Sequence, residues 1–217
     1  MRIDKDDTVI DLGCGEGSIT IPLSKKVKSI TAVDSSKRML EILDDKCKAE
    51  NIDNIKTMKE NLEDVTLKEV GNKDIVLLSR SINGISPIKD TINNVNSIAN
   101  KYVYITIFGP KNWKFENDFY ESIGKEKNDF APYDYLFNIL ISMNIYPNIE
   151  NLEIETNRKY KSVQDAMDNG KWQLDTFTKE EKENLYKYLE KNLRKNNEGM
   201  LENPNDKADW ILIWWKK

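Results

Sequence analysis

Three of the chain's nine glycines fall within five positions, at Gly13, Gly15 and Gly17. They directly follow the largely apolar run 8–12, and a second apolar run ends at Asp34. Glycine fits where the backbone must turn sharply or approach a ligand closely. The arrangement predicts a strand that enters a tight turn and opens a helix, with Asp34 at the tip of the next strand.

The spacing of these residues distinguishes between two kinds of nucleoside site. Dinucleotide-binding folds use G-x-G-x-x-G, and the helix that follows faces a pyrophosphate. Here the spacing is G-x-G-x-G, and Asp11 precedes it by two positions. A carboxylate pointing into the turn would repel a pyrophosphate but suits an ammonium group, and Asp34 can accept two hydrogen bonds from a ribose diol. A nicotinamide-dependent dehydrogenase is therefore the weakest hypothesis for this motif.

The run from Asp11 to Gly17, D-L-G-C-G-E-G, and the A-V-D that ends at Asp34 resemble motifs I and II of the class I S-adenosylmethionine-dependent methyltransferases. The resemblance covers most of the chain and is most specific in its first third. It implies a doubly wound α/β fold, with a mostly parallel, seven-stranded, Rossmann-like sheet whose last strand is antiparallel. It also implies that S-adenosylmethionine is the cofactor and that the protein is a transferase.

The resemblance further implies roles for individual residues. Asp11 lies near the amino-acid end of the cofactor, the glycines let the backbone pass beneath it, and Asp34 holds the ribose. Asn61 is the best-aligned candidate beside the adenine amino group, with Asp64 and Glu60 next. The run 73–79 resembles motif IV, whose tip faces the transferred methyl. The expected cofactor-binding residues are Asp11, Gly13, Cys14, Gly15, Gly17, Asp34, Ser35, Asn61, Leu62 and Ser79.

The acceptor is less well defined by the sequence. Arg80, Ser81 and Asn83 follow motif IV and are candidate acceptor contacts, as is Trp113. Arg80 either holds a carboxylate or phosphate of the acceptor or pairs with a neighbouring acidic residue. The chain contains neither N-P-P-Y nor D-P-P-Y, motif IV holds no Pro-Cys pair, and the net charge is −4, all of which disfavour a nucleic-acid acceptor. A small-molecule acceptor is expected, while a protein or RNA acceptor and a non-catalytic S-adenosylmethionine-binding protein stay open.

The absence of histidine restricts the chemistry without excluding methyl transfer. With no histidine and two cysteines, the chain has neither a Ser-His-Asp triad nor a His-ligated metal site, and no metal is expected. In methyl transfer the cofactor supplies the leaving group, so the protein mainly positions the reactants. No catalytic side chain is assigned from the sequence.

Alternating apolar runs predict one domain over residues 1–217, with a lid or substrate insertion around 109–146. That insertion is the natural cover for the acceptor, since few residues precede the first strand. No run of 18 apolar residues and no apolar signal segment occur, so we expect a cytoplasmic protein without a membrane partner; homodimerisation is left open. Strands are predicted at 8–12, 29–33, 54–59, 73–79, 101–108, 147–160 and 208–215, and helices at 17–26, 36–51, 88–100, 113–125, 133–144, 162–167 and 178–195. Aromatic residues of the insertion form either a pocket wall or core: Trp113, Tyr120, Phe130, Tyr133, Tyr135 and Phe137.

Overall fold

The computed structural model describes residues 1–126, 133–153, 158–170, 172–204 and 209–217. Strands and helices alternate through the first half of the chain, as the sequence predicts. The described strands are β1 (Thr8–Leu12), β2 (Ser29–Asp34), β3 (Ile55–Lys59), β4 (Lys73–Ser79), β5 (Ala99–Phe108), β6 (Asn148–Glu153), β7 (Arg194–Lys195), β8 (Leu201–Glu202) and β9 (Asp209–Lys216). The described α-helices are α1 (Thr20–Ser24), α2 (Lys37–Glu50), α3 (Leu67–Val70), α4 (Ile88–Ile98), α5 (Lys114–Ser122), α6 (Tyr133–Ser142), α7 (Val163–Asn169) and α8 (Lys179–Asn192).

Seven strands form one sheet in the order β3-β2-β1-β4-β5-β9-β6. The pairs β1–β2, β2–β3, β1–β4 and β4–β5 are parallel. Strand β9 runs antiparallel to β5, because Lys217 N donates to Lys101 O while Gly109 N donates to Asp209 O. The predicted fold class, a mostly parallel seven-stranded sheet with an antiparallel last strand, is confirmed. Strand order reverses between β1 and β4, which is where open α/β sheets bind their ligands.

The contacts divide the chain into two compact units. The first comprises Met1–Ile107, Phe130–Glu150 and Ile211–Lys217. In it, Ile10 and Val76 from the sheet are buried with Ile92 of α4 and Leu140 of α6. A second cluster, which includes Ala32 of β2, packs against α2. Both faces of the parallel sheet are therefore covered, which accounts for the largely apolar character of its central strands β1 and β4.

The second unit comprises Phe108–Asp129 and Asn151–Trp210. Its core contains Phe119 and Tyr120 of α5, Leu185 of α8 and Phe177. Among the aromatic residues of the expected insertion, Tyr120 is thus a core residue. In the first unit, the Tyr135 side chain is 56% exposed.

Three differences from the predicted elements have local causes. Helix α1 begins at Thr20 rather than residue 17, since Gly17 has a φ of +87° and residues before Thr20 form turns. Strand β6 ends at Glu153, residues 154–157 lie outside the described ranges, and Tyr160 pairs with Leu201 as an isolated bridge. The helix predicted over 178–195 ends at Asn192, because Arg194–Lys195 form β7 and pair with β8. Helix α3 has only four residues and was not predicted. Phe130 also lies outside the described residues. In the part of the chain that the structure describes, no helix is long and apolar enough to cross a membrane.

Candidate functional site

The glycine loop connects β1 to α1 and is fixed by the neighbouring strand. The N–H groups of Gly13 and Cys14 both donate to Val33 O, at 2.8 and 2.9 Å. Gly13 has a φ of +81°, and a Cβ there would lie 2.3 Å from Ser81 Cβ. Gly15 has a φ of +55°, but apart from its two chain neighbours no described residue comes within 4 Å of the position of its missing Cβ. Gly13 therefore permits close packing against Ser81, whereas Gly15 leaves open space above the loop.

The other two loop residues predicted to contact the cofactor lie beneath this surface. The Gly17 N–H donates to Cys14 O at 3.1 Å, and both residues are buried. Burial and the nearby carboxylates of Asp11 and Asp34 raise the pKa of the Cys14 thiol. The thiol is therefore neutral at physiological pH.

Asp34 lies at the tip of β2 and is held by two backbone donors. Its Oδ2 accepts from Gly15 N and its Oδ1 from Ser36 N, each at 2.8 Å. The hydroxyl of Ser36 in turn accepts from Met39 N at 3.4 Å and caps α2. An ionised carboxylate offers about four lone-pair sites, so two acceptor sites on Asp34 remain for a ligand.

A cavity of about 400 Å³ opens at the carboxyl ends of β1 to β4. This volume falls within the range of small-molecule sites. Among the residues predicted to form the site, the cavity is lined by Gly13, Asp34, Ser35, Asn61, Leu62, Arg80 and Ser81. Glu60, weighed in the sequence analysis as an alternative to Asn61, also lines it, and the sequence analysis missed Glu63 and Ile85.

Asp11 lies within β1, where it pairs with Ala32 of β2 and Leu77 of β4. Its side chain is buried, and Oδ2 accepts a hydrogen bond from Thr20 Oγ1 at 2.6 Å. Oδ1 is buried and has no hydrogen-bond partner among the described residues. Burial raises the pKa of Asp11 to about 6; the Thr20 hydrogen bond opposes this shift and the Asp34 charge adds to it. A buried acceptor that lacks a donor is costly, and a cation would satisfy it.

The turn after β3 uses part of the hydrogen-bonding capacity of Asn61. Its side-chain amide donates to Asp64 Oδ2 at 2.9 Å, and its backbone N–H donates to Glu60 Oε1 at 3.0 Å. The backbone N–H of Glu60 donates to Asp34 O at 3.2 Å, which joins this turn to the tip of β2. The structure thus brings Asn61 and Asp34 to one cavity, and their assigned contacts with adenine and ribose stay predictions.

The tip of β4 is pinned to β5 and β1. Ser79 Oγ lies 3.0 Å from Thr106 Oγ1, and Arg80 N donates to the same hydroxyl at 3.1 Å. Arg80 has a φ of +61°, which is uncommon for a residue other than glycine. Ser81 Oγ donates to Leu12 O at 2.6 Å. The tip is therefore a fixed turn that presents Arg80 and Ser81 to the cavity.

Two predicted acceptor contacts lie elsewhere. Asn83 does not line this cavity, and its Oδ1 is buried without a hydrogen-bond partner in the described ranges. Trp113 belongs to the second unit, where its ring packs edge-on against Phe108 at a centroid distance of 5.2 Å. Their roles as acceptor contacts stay predictions.

The charges around the cavity are unequal. The lining carboxylates are Asp34, Glu60 and Glu63, and Arg80 is the lining cation; Asp11, two residues before the lining residue Gly13, is buried. This balance favours a ligand that carries positive charge at the end near Asp11.

Known proteins resemble this chain in both sequence and fold. Residues 9–100 match a methyltransferase domain. An uncharacterized protein of Haemophilus influenzae is 28% identical over 216 residues, which are 99% of this chain and 78% of that protein. A probable cobalt-precorrin-6B C(15)-methyltransferase (decarboxylating) of Methanocaldococcus jannaschii is 31% identical over 103 residues, 48% of this chain and 56% of that protein. A putative methyltransferase from Bacillus halodurans has a similar structure, with a TM-score of 0.65, 13% identity and coverage of 99% of this chain and 94% of that one.

The sheet order and the glycine loop define a Rossmann-like α/β domain with a nucleoside site at its switch point. With the methyltransferase domain that matches residues 9–100, they identify the chain as an S-adenosylmethionine-dependent methyltransferase, an enzyme whose cofactor is S-adenosylmethionine. The family, enzyme class and cofactor expected from the sequence are confirmed.

Proposed function

We propose that the protein transfers the methyl group of S-adenosylmethionine to a small-molecule acceptor by in-line displacement. The cofactor supplies the methyl group and the leaving thioether. Two observations carry the proposal: a buried oxygen of Asp11 has no hydrogen-bond partner among the described residues, and Asp34 lines an open cavity.

The residues present fit the cofactor. The second oxygen of Asp11 would accept from its ammonium group, and Asp34 would accept from the ribose hydroxyls through the acceptor sites that Gly15 and Ser36 leave available. The open space above Gly15 leaves room beside the loop. By the family resemblance, Asn61 and Leu62 would lie beside the adenine.

The order of the strands supports one orientation of the cofactor along the sheet. The adenine and ribose contacts are assigned to the tips of β3 and β2, and the ammonium contact to β1. Strand β4 is the next in the sheet, about 4.8 Å further on. The acceptor would therefore approach along the tip of β4, where Ser79, Arg80 and Ser81 lie.

Charge supports a small acceptor rather than a polyanion. The chain carries a net charge of −4, and three carboxylates line the cavity. Proteins that bind nucleic acids use basic surfaces. The cobalt-precorrin enzyme that is similar over half of this chain is named for a small-molecule substrate, which also supports the proposal. Arg80 would bind a carboxylate or phosphate of the acceptor.

The cofactor site is tested by replacing Asp34 and measuring the affinity for S-adenosylhomocysteine by calorimetry. Asp34→Ala removes two bonds to a charged group, each worth about 1.5–3 kcal/mol, so affinity should fall about 100-fold or more. Asp34→Asn keeps the size and one acceptor oxygen and should fall between. Asp45→Ala, a substitution in α2 at a largely exposed side chain, is the matched control. Equal affinities for the wild type and Asp34→Ala would refute the ribose contact.

The acceptor class is tested by S-adenosylhomocysteine formation with matched panels. Small carboxylic acids should be methylated faster than their amides, and Arg80→Gln should remove this preference while leaving S-adenosylhomocysteine affinity within about twofold. Turnover confined to RNA or protein acceptors would overturn the small-molecule proposal.

A further inference from the structure

Thr20 occupies an unusual position for a hydroxyl side chain. It begins α1, is completely buried, and belongs to none of the motifs that mark the cofactor site. Its hydroxyl donates to Asp11 Oδ2 at 2.6 Å. The short distance is typical of an O–H donor bound to a charged carboxylate.

We propose that Thr20 is a positioning residue, whose hydroxyl orients the Asp11 carboxylate and keeps it charged, so that Oδ1 is available to the ammonium group of the cofactor. This inference rests on the proposed function, in which Asp11 binds that group. It adds a residue that touches neither the cofactor nor the acceptor and that acts through Asp11.

The hydrogen bond from Thr20 leaves one oxygen of Asp11, Oδ1, available to a ligand. With Oδ2 committed to Thr20, rotation of the carboxylate is restricted, and Oδ1 is the buried oxygen without a partner in the described part of the chain. The strand neighbours of Asp11 are Ala32 and Leu77, which offer neither donor nor charge from their side chains. A ligand cation therefore meets a carboxylate oxygen that no strand neighbour occupies.

The charges around Asp11 make the hydroxyl important. The ionisable groups that act on Asp11 include Asp34 on β2, which is negative and disfavours a second charge. The Cys14 thiol in the loop is neutral, since burial raises its pKa. Thr20 on α1 favours the charged form and opposes both burial and Asp34. Removal of its hydroxyl would raise the pKa of Asp11 further.

A pH dependence follows. The pKa of Asp11 is about 6, so the carboxylate loses its charge as the pH falls through that value, and affinity for a ligand ammonium falls with it. In Thr20→Val the same loss should begin at a higher pH. Thr20→Ser retains the hydroxyl and should behave like the wild type.

The test compares two ligands on three proteins by calorimetry from about pH 5.5 to pH 8. S-adenosylhomocysteine carries the ammonium group, and 5′-methylthioadenosine lacks the whole amino-acid end. At pH 7, Thr20→Val should bind S-adenosylhomocysteine about tenfold or more weakly, with its pH midpoint displaced upward. Thr20→Ser should stay within about threefold, since the donor is kept. Affinity for 5′-methylthioadenosine should be unchanged in both variants and at every pH.

Two results would overturn the inference. One is a wild-type pH profile and affinity for S-adenosylhomocysteine in Thr20→Val. The other is equal weakening of both ligands, which would make Thr20 a purely structural residue. If Thr20→Val does not fold, the wild type decides alone: affinity for S-adenosylhomocysteine that is independent of pH below 7 contradicts the inference. Failure of the wild type to bind either nucleoside would instead refute the proposed function.

Discussion

The stability of Asp11→Asn relative to the wild type is expected to rise with pH, and the substitution should also weaken binding of the cofactor. The substitution removes a charge from a side chain that is 2% exposed and keeps an oxygen that can accept from Thr20. Because burial raises the pKa of Asp11 from 3.8 to about 6, the folded protein holds this proton more tightly than the unfolded chain. The group therefore stabilises the fold below about pH 3.8, and that contribution is lost as the pH rises through 6.

The magnitude follows from the size of the shift. The pKa of Asp11 rises from 3.8 to about 6 on folding. At 1.36 kcal/mol per pKa unit, the stability lost by ionising Asp11 is about 3 kcal/mol, and this full value is reached above about pH 7. At about pH 4 the same effect is roughly 0.5 kcal/mol. The free energy of unfolding of Asp11→Asn, relative to wild type, should therefore rise by about 2.5 kcal/mol between pH 4 and pH 8. The new amide N–H₂ lacks an acceptor at every pH and costs about 1–3 kcal/mol, so the slope with pH is the test.

Urea unfolding at several pH values, followed by circular dichroism, measures this slope. Asp53→Asn, at an exposed position of the loop before β3, is the matched removal of a carboxylate. The reasoning is refuted if the difference between Asp11→Asn and wild type is the same at pH 4 and pH 8, or shrinks as the pH rises. Calorimetry on the same samples should show weaker binding of S-adenosylhomocysteine by Asp11→Asn at neutral pH. Wild-type affinity in that variant would refute the ammonium contact.

Two further predictions concern the glycine loop and the second unit, and each is tested by a pair of substitutions. Gly13→Ala should destabilise the fold by about 2–5 kcal/mol, because of the positive φ and the contact with Ser81. Gly15→Ala should destabilise it by only about 1 kcal/mol but should weaken S-adenosylhomocysteine binding. Thermal melts and calorimetry separate these effects, and equal melting temperatures for the two variants would contradict the packing argument. Arg158→Met leaves Glu116, a fully buried carboxylate that Arg158 contacts, without that partner, and should destabilise by about 3–5 kcal/mol. Adding Glu116→Gln to Arg158→Met should recover part of this loss in urea unfolding, and no recovery would show that the buried charge is not its cause.

The sheet was predictable because its signals are local and repeated. The parallel strands β1, β2 and β4 are largely apolar runs of five to seven residues, and Ser36 marks the start of α2 by a side-chain cap. The start of α1 could not be predicted, because the sequence does not show that the backbone of Gly17 is left-handed. The four-residue α3 carries too little periodicity to be recognised.

The candidate site shows the same division. Gly13 and Asp34 were predicted because motif residues sit at strand tips, where neighbouring parallel strands end together. Glu63 and Ile85 were missed, since their orientation depends on how the turns after β3 and β4 fold. Thr20 was missed for a similar reason: its bond to Asp11 spans nine residues and a loop whose path the sequence does not specify.

The two carboxylates of the cofactor site should have different fates in relatives that have lost the enzymatic activity. Asp34 joins the glycine loop to the start of α2 through Gly15 and Ser36, so the fold itself retains it. The buried charge of Asp11 lowers the stability of the fold, and a bound ligand cation would offset this loss. In a lineage released from selection for methyl transfer, Asp11 would drift to an uncharged residue first, while Asp34 would persist. The presence of Asp11 is therefore a more informative sign of retained activity than the presence of Asp34.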